Sequence, residues 1–486
     1  MFIFGMLKIR NLKRIAQLKI FKCCHMTLIK SISGIRGTIG GVPGESLTPL
    51  DVVRFTSAFG LQIREKQKKS RYSVVIGRDA RVSGEMVSML VAGSLSGMGI
   101  DVIDLGFATT PTVELAVTRL ESDGGIILTA SHNPGQWNAL KLLNSKGEFI
   151  SAEEGAELLS LAAADKTEYA TVDQLGKISR FDKMDEIHVD AVINMKYVDT
   201  DAIRKARFKA VIDCVNSVGG IIIPVLLKKL GVEVVLLYCE PTGIFPHNPE
   251  PLPQHLGDIA AAMVKNKADV GFVVDPDVDR LVIVNEDGSM FGEEYTLVAV
   301  ADYILSKQTG NTVSNLSSTR ALADVTARHG GKYTAAPVGE VNVVNEMKKT
   351  MAVIGGEGNG GIIYPDLHYG RDALVGIALF LSHLAKSKMK CSELRKTYPD
   401  YYNSKNKIEL KAGTDVDKLI MDVRKKYMNY PVDDRDGIRI DFDREWVHLR
   451  KSNTEPIIRV ISESTSAQKA DALAARMIQE INDLER

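Results

Sequence analysis

The chain alternates short apolar runs with longer amphipathic ones, and this rhythm repeats. Residues 74–76 read as a buried strand, 84–98 as an amphipathic helix and 100–105 as the next strand. The same succession returns at 210–213, 219–230 and 232–237, and more loosely from Thr312 through a helix at 321–329 into a strand at 333–335. Repeated strand, helix, strand units imply parallel or mixed sheets covered by helices. The last stretch differs, with strands expected at 407–410, 437–442, 446–449 and 457–462 and helices at 416–427 and 467–484. The pattern predicts an α/β protein with three similar α/β domains carrying mixed sheets, at 27–189, 190–292 and 293–402, and a smaller C-terminal α+β domain at 403–486.

Residues 1–26 stand outside this rhythm. Lys8, Arg10, Lys13, Arg14, Lys19 and Lys22 carry the charge, and no acidic residue accompanies them. The order of basic and apolar residues does not suit a secretory signal, and a lysine-rich stretch free of serine does not suit a transit peptide. A disordered extension or a misplaced translation start is expected, with the folded protein beginning near Met26. Across 486 residues, 61 basic side chains balance 61 acidic ones, so no overall field recommends nucleic acid or a membrane as partner. No apolar run is long enough to span a bilayer. Five cysteines form no recognisable framework and suit a reducing, cytoplasmic setting.

Several polar loops follow strands, which is where open α/β sheets place ligand sites. Thr129-Ala130-Ser131-His132-Asn133-Pro134 leaves the apolar run 125–128, and Asn133-Pro134 closes it, because the residue before proline is pushed out of helical geometry. Ser131 is thereby a candidate nucleophile, although serine and asparagine are also ordinary turn residues. Ser33-Gly34-Ile35-Arg36-Gly37 puts Arg36 in a glycine-rich connector, able to reach a phosphate or a carboxylate. Gly77-Arg78-Asp79-Ala80-Arg81 offers two more arginines, either ligands or structural ion-pair partners.

Asp275-Pro276-Asp277-Val278-Asp279-Arg280 lies between the apolar runs 270–274 and 281–284. Alternate positions of an extended loop would turn its three carboxylates to one side. Such crowding is costly without a cation, and oxygen ligands suit a hard divalent ion. An EF-hand is excluded, because Arg280 stands where its glycine must be and a β-rich segment follows. Magnesium shared with a phosphorylated ligand fits better. Gly355-Gly356-Glu357-Gly358-Asn359-Gly360-Gly361 contains a formal dinucleotide fingerprint, but 362–365 continues extended where a helix is required. A mobile loop presenting Glu357 and Asn359 to vicinal hydroxyls, such as those of a sugar, is expected instead. Arg450-Lys451-Ser452-Asn453-Thr454-Glu455-Pro456, with Arg459 beyond, gathers cationic and hydroxyl groups suited to a phosphate. There is no P-loop, since neither Gly176-Lys177 nor Gly331-Lys332 is followed by serine or threonine.

Taken in this order, the serine loop, the triple-aspartate loop ending in arginine, the Gly-Glu-x-x-Gly loop and the Arg-x-Ser-x-Thr-Glu-Pro loop resemble those of the α-D-phosphohexomutases. The resemblance runs from about Leu28 to the C-terminus. It implies three like α/β domains and a smaller fourth around a central cleft. It implies phosphoserine at Ser131, and Mg2+ held by Asp275, Asp277 and Asp279 with the Ser131 phosphate as a further ligand. Arg280, Glu357 and Asn359 would bind substrate, Glu357 at the sugar hydroxyls, and Arg450, Ser452, Asn453, Thr454 and Arg459 would bind the phosphate that is not transferred. Lys141 matches a lysine at the reacting phosphate. With Arg36 it is the candidate for proton transfer or charge stabilisation, and His132 either joins them or holds the loop. The implied reaction interconverts hexose 6-phosphate and hexose 1-phosphate through a hexose 1,6-bisphosphate, in a monomer or homodimer whose partners are small sugar phosphates.

This sequence departs from the family pattern at Ala139, Pro276, Val278 and Asn359, and Val338-Gly339-Glu340-Val341-Asn342 lacks the basic or histidine residue of several relatives. Nucleophile and carboxylates are intact, so the departures bear on the choice of sugar. The Gly-Glu-Gly-Asn-Gly-Gly form is most similar to enzymes acting on glucosamine phosphate, with glucose and mannose phosphates as the alternative. A serine hydrolase lacks its Gly-x-Ser-x-Gly elbow here. A sugar-phosphate sensor would have no use for Ser131 together with three aspartates.

Overall fold

The computed structural model describes residues 26–31, 34–164, 166–411, 414–451 and 457–484, so the expected N-terminal extension through His25 lies outside the described residues. Among the described residues, twenty strands form four sheets. The first holds β1 (Ile29–Ser31), β2 (Gly34–Thr38), β3 (Tyr72–Arg78), β4 (Ile100–Phe107), β5 (Gly124–Leu128), β6 (Trp137–Leu143) and β7 (Ile178–Arg180), in the order β1-β2-β6-β5-β3-β4-β7. The second, ordered β11-β10-β8-β9, holds β8 (Lys209–Asp213), β9 (Glu233–Leu237), β10 (Val270–Val274) and β11 (Leu281–Asn285). The third, ordered β13-β12-β14-β15, holds β12 (Asn311–Asn315), β13 (Tyr333–Ala336), β14 (Ala352–Glu357) and β15 (Gly361–Ile363).

All three sheets share one unit. Two strands run parallel to a central one, and a fourth returns antiparallel beside the third, in β4-β3-β5-β6, β9-β8-β10-β11 and β13-β12-β14-β15. The turn from third to fourth strand is the serine loop in the first unit, the aspartate loop in the second and the Glu357 turn in the third. Three loops picked out for unrelated chemistry thus occupy one topological position. The strands leading into the first two, β5 and β10, are buried throughout, which is why they read as unbroken apolar runs.

The fourth sheet is antiparallel, β16-β20-β19-β18-β17, built from β16 (Tyr402–Glu409), β17 (Val432–Asp433), β18 (Ile438–Asp441), β19 (Trp446–Lys451) and β20 (Ile457–Ser464). The helices Val416–Lys426 and Ala467–Leu484 cover it with apolar faces that include Leu419, Val423, Leu473 and Met477. No helix among the described residues is long and apolar enough to cross a membrane.

The second and third units share a core. One buried apolar cluster runs from Val189 to Tyr401 and takes in the helices Glu293–Leu305 and Ala373–Ser387, most of whose residues are buried. The first unit is tied to them by a polar network. His188 Nε2 and His368 Nε2 lie 2.8 and 3.2 Å from Asp372 Oδ2, and His188 Nδ1 lies 2.9 Å from Thr112 Oγ1 on the helix Thr110–Arg119. Asp372 Oδ1 meanwhile accepts from the amides of Leu374 and Val375, capping the helix that follows. The ligand atoms of these two histidines and Asp372 lie within 4.8 Å of one another, but both imidazoles are already bonded to one carboxylate oxygen. Glu114 completes the network 3.4 Å from His368 Nδ1, packed so closely on Gly370 that an added Cβ would come within 1.7 Å of its Oε2.

This network carries a pH signature. Burial disfavours the imidazolium of His368, but the carboxylates of Asp372 and Glu114 outweigh it and push the group up to about 10. Burial pushes the Glu114 carboxyl up to about 8. Both folded-state values lie above their unfolded ones, so both contributions are complete at low pH and fade as pH rises. His368 should therefore stabilise fully below about pH 6.5 and lose its effect towards its folded value. The difference in apparent melting temperature between the unsubstituted chain and His368→Gln should be large at about pH 6 and narrow at about pH 9.5. A gap that widens with pH would contradict the assignment.

Candidate active site

Ser131 is held in a strained loop by one buried arginine. Its backbone is left-handed, with φ 49°, a conformation costly outside glycine and concentrated at functional sites. Arg81, 1% exposed, pairs with Asp79 at 3.0 Å and donates to the carbonyls of Ser131, Asn133 (2.6 Å), Pro134 (2.7 Å) and Trp137 (3.0 Å). Thr129 Oγ1 donates to Asp79 at 2.6 Å and accepts from the Ser131 amide at 2.9 Å. Of the two arginines read as ligands or ion-pair partners, Arg81 is thus the structural one. Arg78 instead lies over the ring of Phe107.

The loop aims Ser131 Oγ at the aspartates, donating to Asp275 Oδ2 at 2.7 Å. Asp275, Asp277 and Asp279 are fully buried, with ligand oxygens within 4.8 Å of one another. They converge through a turn rather than the expected extended loop. Val278 has φ 64°, rare for a β-branched residue, and the turn is pinned where Thr110 N donates to Asp277 O (2.9 Å) and Ala373 N to Val278 O (3.2 Å). The donor set fits a hard divalent cation, since Oδ1 of Asp277 and Oδ1 of Asp279 are buried and without hydrogen-bond partners among the described residues. Burial and the neighbouring carboxylates push Asp275 well above the usual range. Asp277 is held below that range against its own burial, by Lys141 and Thr110.

The expected cations surround this cluster. Lys141, on β6, places Nζ 2.6 Å from Asp277 Oδ2 and 3.4 Å from Asp279 Oδ2, and these carboxylates keep it an ammonium despite complete burial. Arg36 lies on strand β2 and not in a connector, because Gly34–Thr38 pairs with β6. Its Nη1 donates to Asn133 Oδ1 at 3.3 Å, next to the serine loop. His132 Nδ1 lies 3.4 Å from Ser131 Oγ, and burial with the charges of Arg280 and Arg36 holds the imidazole well below its ordinary range. Arg280 Nε is 3.9 Å from Asp279 and 4.0 Å from Asp275.

Glu357 ends β14, in a tight hairpin rather than the expected mobile loop, and is 5% exposed. Its Oε1 accepts from Asn315 (3.0 Å) and the Gly339 amide (3.2 Å), its Oε2 from Arg371 (2.8 Å) and Asn359 (3.4 Å). Against its burial, Arg371 and Asn315 hold the carboxyl below the usual range. Gly358 lies close on Glu294, whose carboxylate would have to shift for a Cβ that would otherwise come within 2.0 Å of its Oε2. In the fourth sheet Arg450 and Arg459 are direct cross-strand partners, and Arg450 Nε also donates to Asp436 at 2.9 Å. Ser452, Asn453 and Thr454 lie outside the described residues.

The motif pattern did not point to Arg371 and Glu340, which meet at 2.9 Å beside the Glu357 hairpin, or to Thr110, which donates to Asp277 Oδ2 at 2.6 Å. Only Arg371 carried a usable signal, standing before the capping Asp372 and a long apolar run.

Models of the four phosphoglucomutase/phosphomannomutase domains match the chain: α/β/α domain I over 28–169, domain II over 186–288, domain III over 292–402 and the C-terminal domain over 406–480. A protein of Thermococcus kodakarensis named phosphoglucomutase/phosphomannomutase is 36% identical over 440 residues, covering 89% of this chain and 95% of its own. The phosphoglucosamine/phosphogalactosamine mutase of Sulfurisphaera tokodaii is 30% identical over 446 residues, covering 90% and 96%. The crystal structure of a phosphoglucomutase/phosphomannomutase family protein from Burkholderia thailandensis superposes with a TM-score of 0.79 at 28% identity, covering 95% of this chain and 96% of that one.

Because Arg81 both neutralises a buried aspartate and satisfies four carbonyls, Arg81→Met should destabilise the chain by about 3–5 kcal/mol. Urea unfolding monitored by circular dichroism measures this. A loss below about 1 kcal/mol would show that the serine loop keeps its shape without the arginine.

Proposed function

This chain belongs to the phosphoglucomutase/phosphomannomutase family and is a phosphohexomutase, and on that premise we propose that it interconverts glucosamine 6-phosphate and glucosamine 1-phosphate through phosphoserine at Ser131. The observation that carries the proposal is Ser131 Oγ at 2.7 Å from a buried aspartate triad that is itself backed by Lys141. A phosphoryl group on that oxygen lies against three carboxylates, a position that calls for a cation and suits group transfer rather than hydrolysis by a histidine relay.

In the first half-reaction a sugar hydroxyl oxygen forms a bond to phosphorus as the bond to Ser131 Oγ breaks, leaving a hexose 1,6-bisphosphate. In the second, Ser131 Oγ bonds to the other phosphorus of the turned bisphosphate as the bond from that phosphorus to its sugar oxygen breaks, so phosphoserine is restored and the isomeric hexose monophosphate leaves. Mg2+ held by Asp275, Asp277 and Asp279 would offset charge on the transferring oxygens. Lys141 and Arg280 orient the carboxylates and add positive charge, and Lys141 acts as an ammonium rather than as a base. His132, neutral and beside Ser131 Oγ, is the group suited to exchange a proton there. Arg450 and Arg459, with Ser452, Asn453 and Thr454, would hold the phosphate that is not being transferred.

The amino sugar is favoured by the charge at the sugar end, where Glu340 and Glu357 are buried together around one arginine and no histidine or lysine occupies the 338–342 loop. An ammonium substituent suits that excess of carboxylate. The likeness to the Thermococcus kodakarensis relative supports a second reading, activity on glucose and mannose phosphates.

Intact mass should show a population one phosphoryl group heavier than the sequence, absent in Ser131→Ala, whose kcat/KM should fall on the order of 10^4-fold or more. Unimpaired isomerisation by Ser131→Ala would overturn the phosphoserine route. Comparing kcat/KM for glucosamine, glucose and mannose phosphates decides the sugar, and a preference for an unaminated substrate selects the second reading.

A further inference from the structure

Arg371 stands where the aspartate loop meets the sugar hairpin, and its guanidinium gives one arm to each. Nη2 donates to Asp279 Oδ2 at 2.6 Å, Nη1 to Glu357 Oε2 at 2.8 Å and Nε to Glu340 Oε2 at 2.9 Å, while its backbone amide donates to Glu340 Oε1 at 3.1 Å. Asp279 belongs to the turn after β10 in the second sheet. Glu357 ends β14 of the third, and Glu340 opens the helix Glu340–Thr350. All four side chains are buried, and Asp279 is wholly inaccessible.

The arginine has little freedom to follow one partner away from the others. Its backbone is fixed on one side by Glu340 and on the other by Asp372, which two histidines and a helix N-terminus hold. Its stem packs against Gly361, where a Cβ would come within 2.3 Å of Arg371 Cδ. A planar fork in fixed geometry cannot change its bond to one carboxylate without changing the others. A single positive charge is also shared among three negative ones, so whatever engages one alters the field at the rest.

We propose that Arg371 is a positioning residue that couples cation binding at Asp275, Asp277 and Asp279 to sugar binding at the Glu357 hairpin. The proposal rests on the roles given to those two loops above. Its sign follows from the charges. Neutralising Glu357 leaves the guanidinium less compensated and bonded more strongly to Asp279, so a cation at the triad binds more weakly. By linkage, a cation that draws Asp279 away from Arg371 must change sugar affinity by the same factor as sugar changes cation affinity.

The test is a double-mutant cycle on the full chain without sugar, using Mn2+ as the probe and paramagnetic resonance of free Mn2+ to obtain Kd. Glu357→Gln should raise the Mn2+ Kd about fivefold or more. In an Arg371→Lys background, which keeps the charge but loses the fork, the same substitution should raise it less than about twofold. An equal factor in both backgrounds, or no effect of Glu357→Gln, overturns the coupling. Asp279→Asn separates the two levels of the argument, because an unchanged Mn2+ Kd there removes the cation role of the loop and the coupling with it. If Arg371→Lys does not fold, Glu340→Gln serves in its place. It should also weaken Mn2+, although Glu340 bonds to Arg371 rather than to the aspartate loop, and an unchanged Kd overturns the proposal.

Discussion

Burying three carboxylates beside one serine is the constraint that the rest of the site answers. At an effective dielectric of about 20, each pair of full charges at that separation costs about 3–4 kcal/mol, and three pairs together approach the entire stability of a typical domain. The aspartates lie within 4.8 Å of one another, so the fold cannot hold them without counter-charge. Lys141 reaches in from the first sheet, Arg371 from the segment before the helix Ala373–Ser387, and Arg280 from the loop itself. Among the described residues, Oδ1 of Asp277 and Oδ1 of Asp279 accept no hydrogen bond, and there this compensation is least complete.

Topology explains how residues more than a hundred positions apart arrive at one point. Each α/β unit turns its chain back between the third and fourth strand, and those turns carry the Ser131 loop, the triple-aspartate loop and the Glu357 hairpin in succession. Sites at the ends of parallel strands follow the general rule for open α/β sheets. Here three sheets bring equivalent ends together. The apolar cluster shared by the second and third units fixes the aspartate loop relative to the Glu357 hairpin, and the network of Glu114, His188, His368 and Asp372 fixes the first unit against both.

Much of this was legible in the sequence because its physical basis is local. Unbroken apolar runs such as Val270–Val274 mark strands buried on both faces, a clustered Asp-x-Asp-x-Asp marks a cation loop, and a polar turn leaving an apolar strand marks Ser131. These patterns imply the α/β architecture and name several of the groups that the fold brings together. They failed where conformation depends on distant contacts. Arg36 reads as part of a glycine-rich connector, yet pairing with β6 makes its segment a strand, and Glu357 reads as a mobile loop residue until Arg371 and Asn315 are seen to hold it. The loop 452–456, expected to bind phosphate, lies outside the described residues.

What the sequence by itself determined is the inventory: a hydroxyl, three carboxylates, the cations and the strands that present them, because strand patterning and charge density act over neighbouring residues. Only the tertiary structure decided which charges meet. Nothing in the order of residues pairs Arg81 with four carbonyls of the serine loop, or sets Arg371 between Asp279, Glu340 and Glu357. Those pairings arise because burial removes water from charged groups, leaving them no favourable partners except one another, and the packing of whole sheets fixes which are within reach.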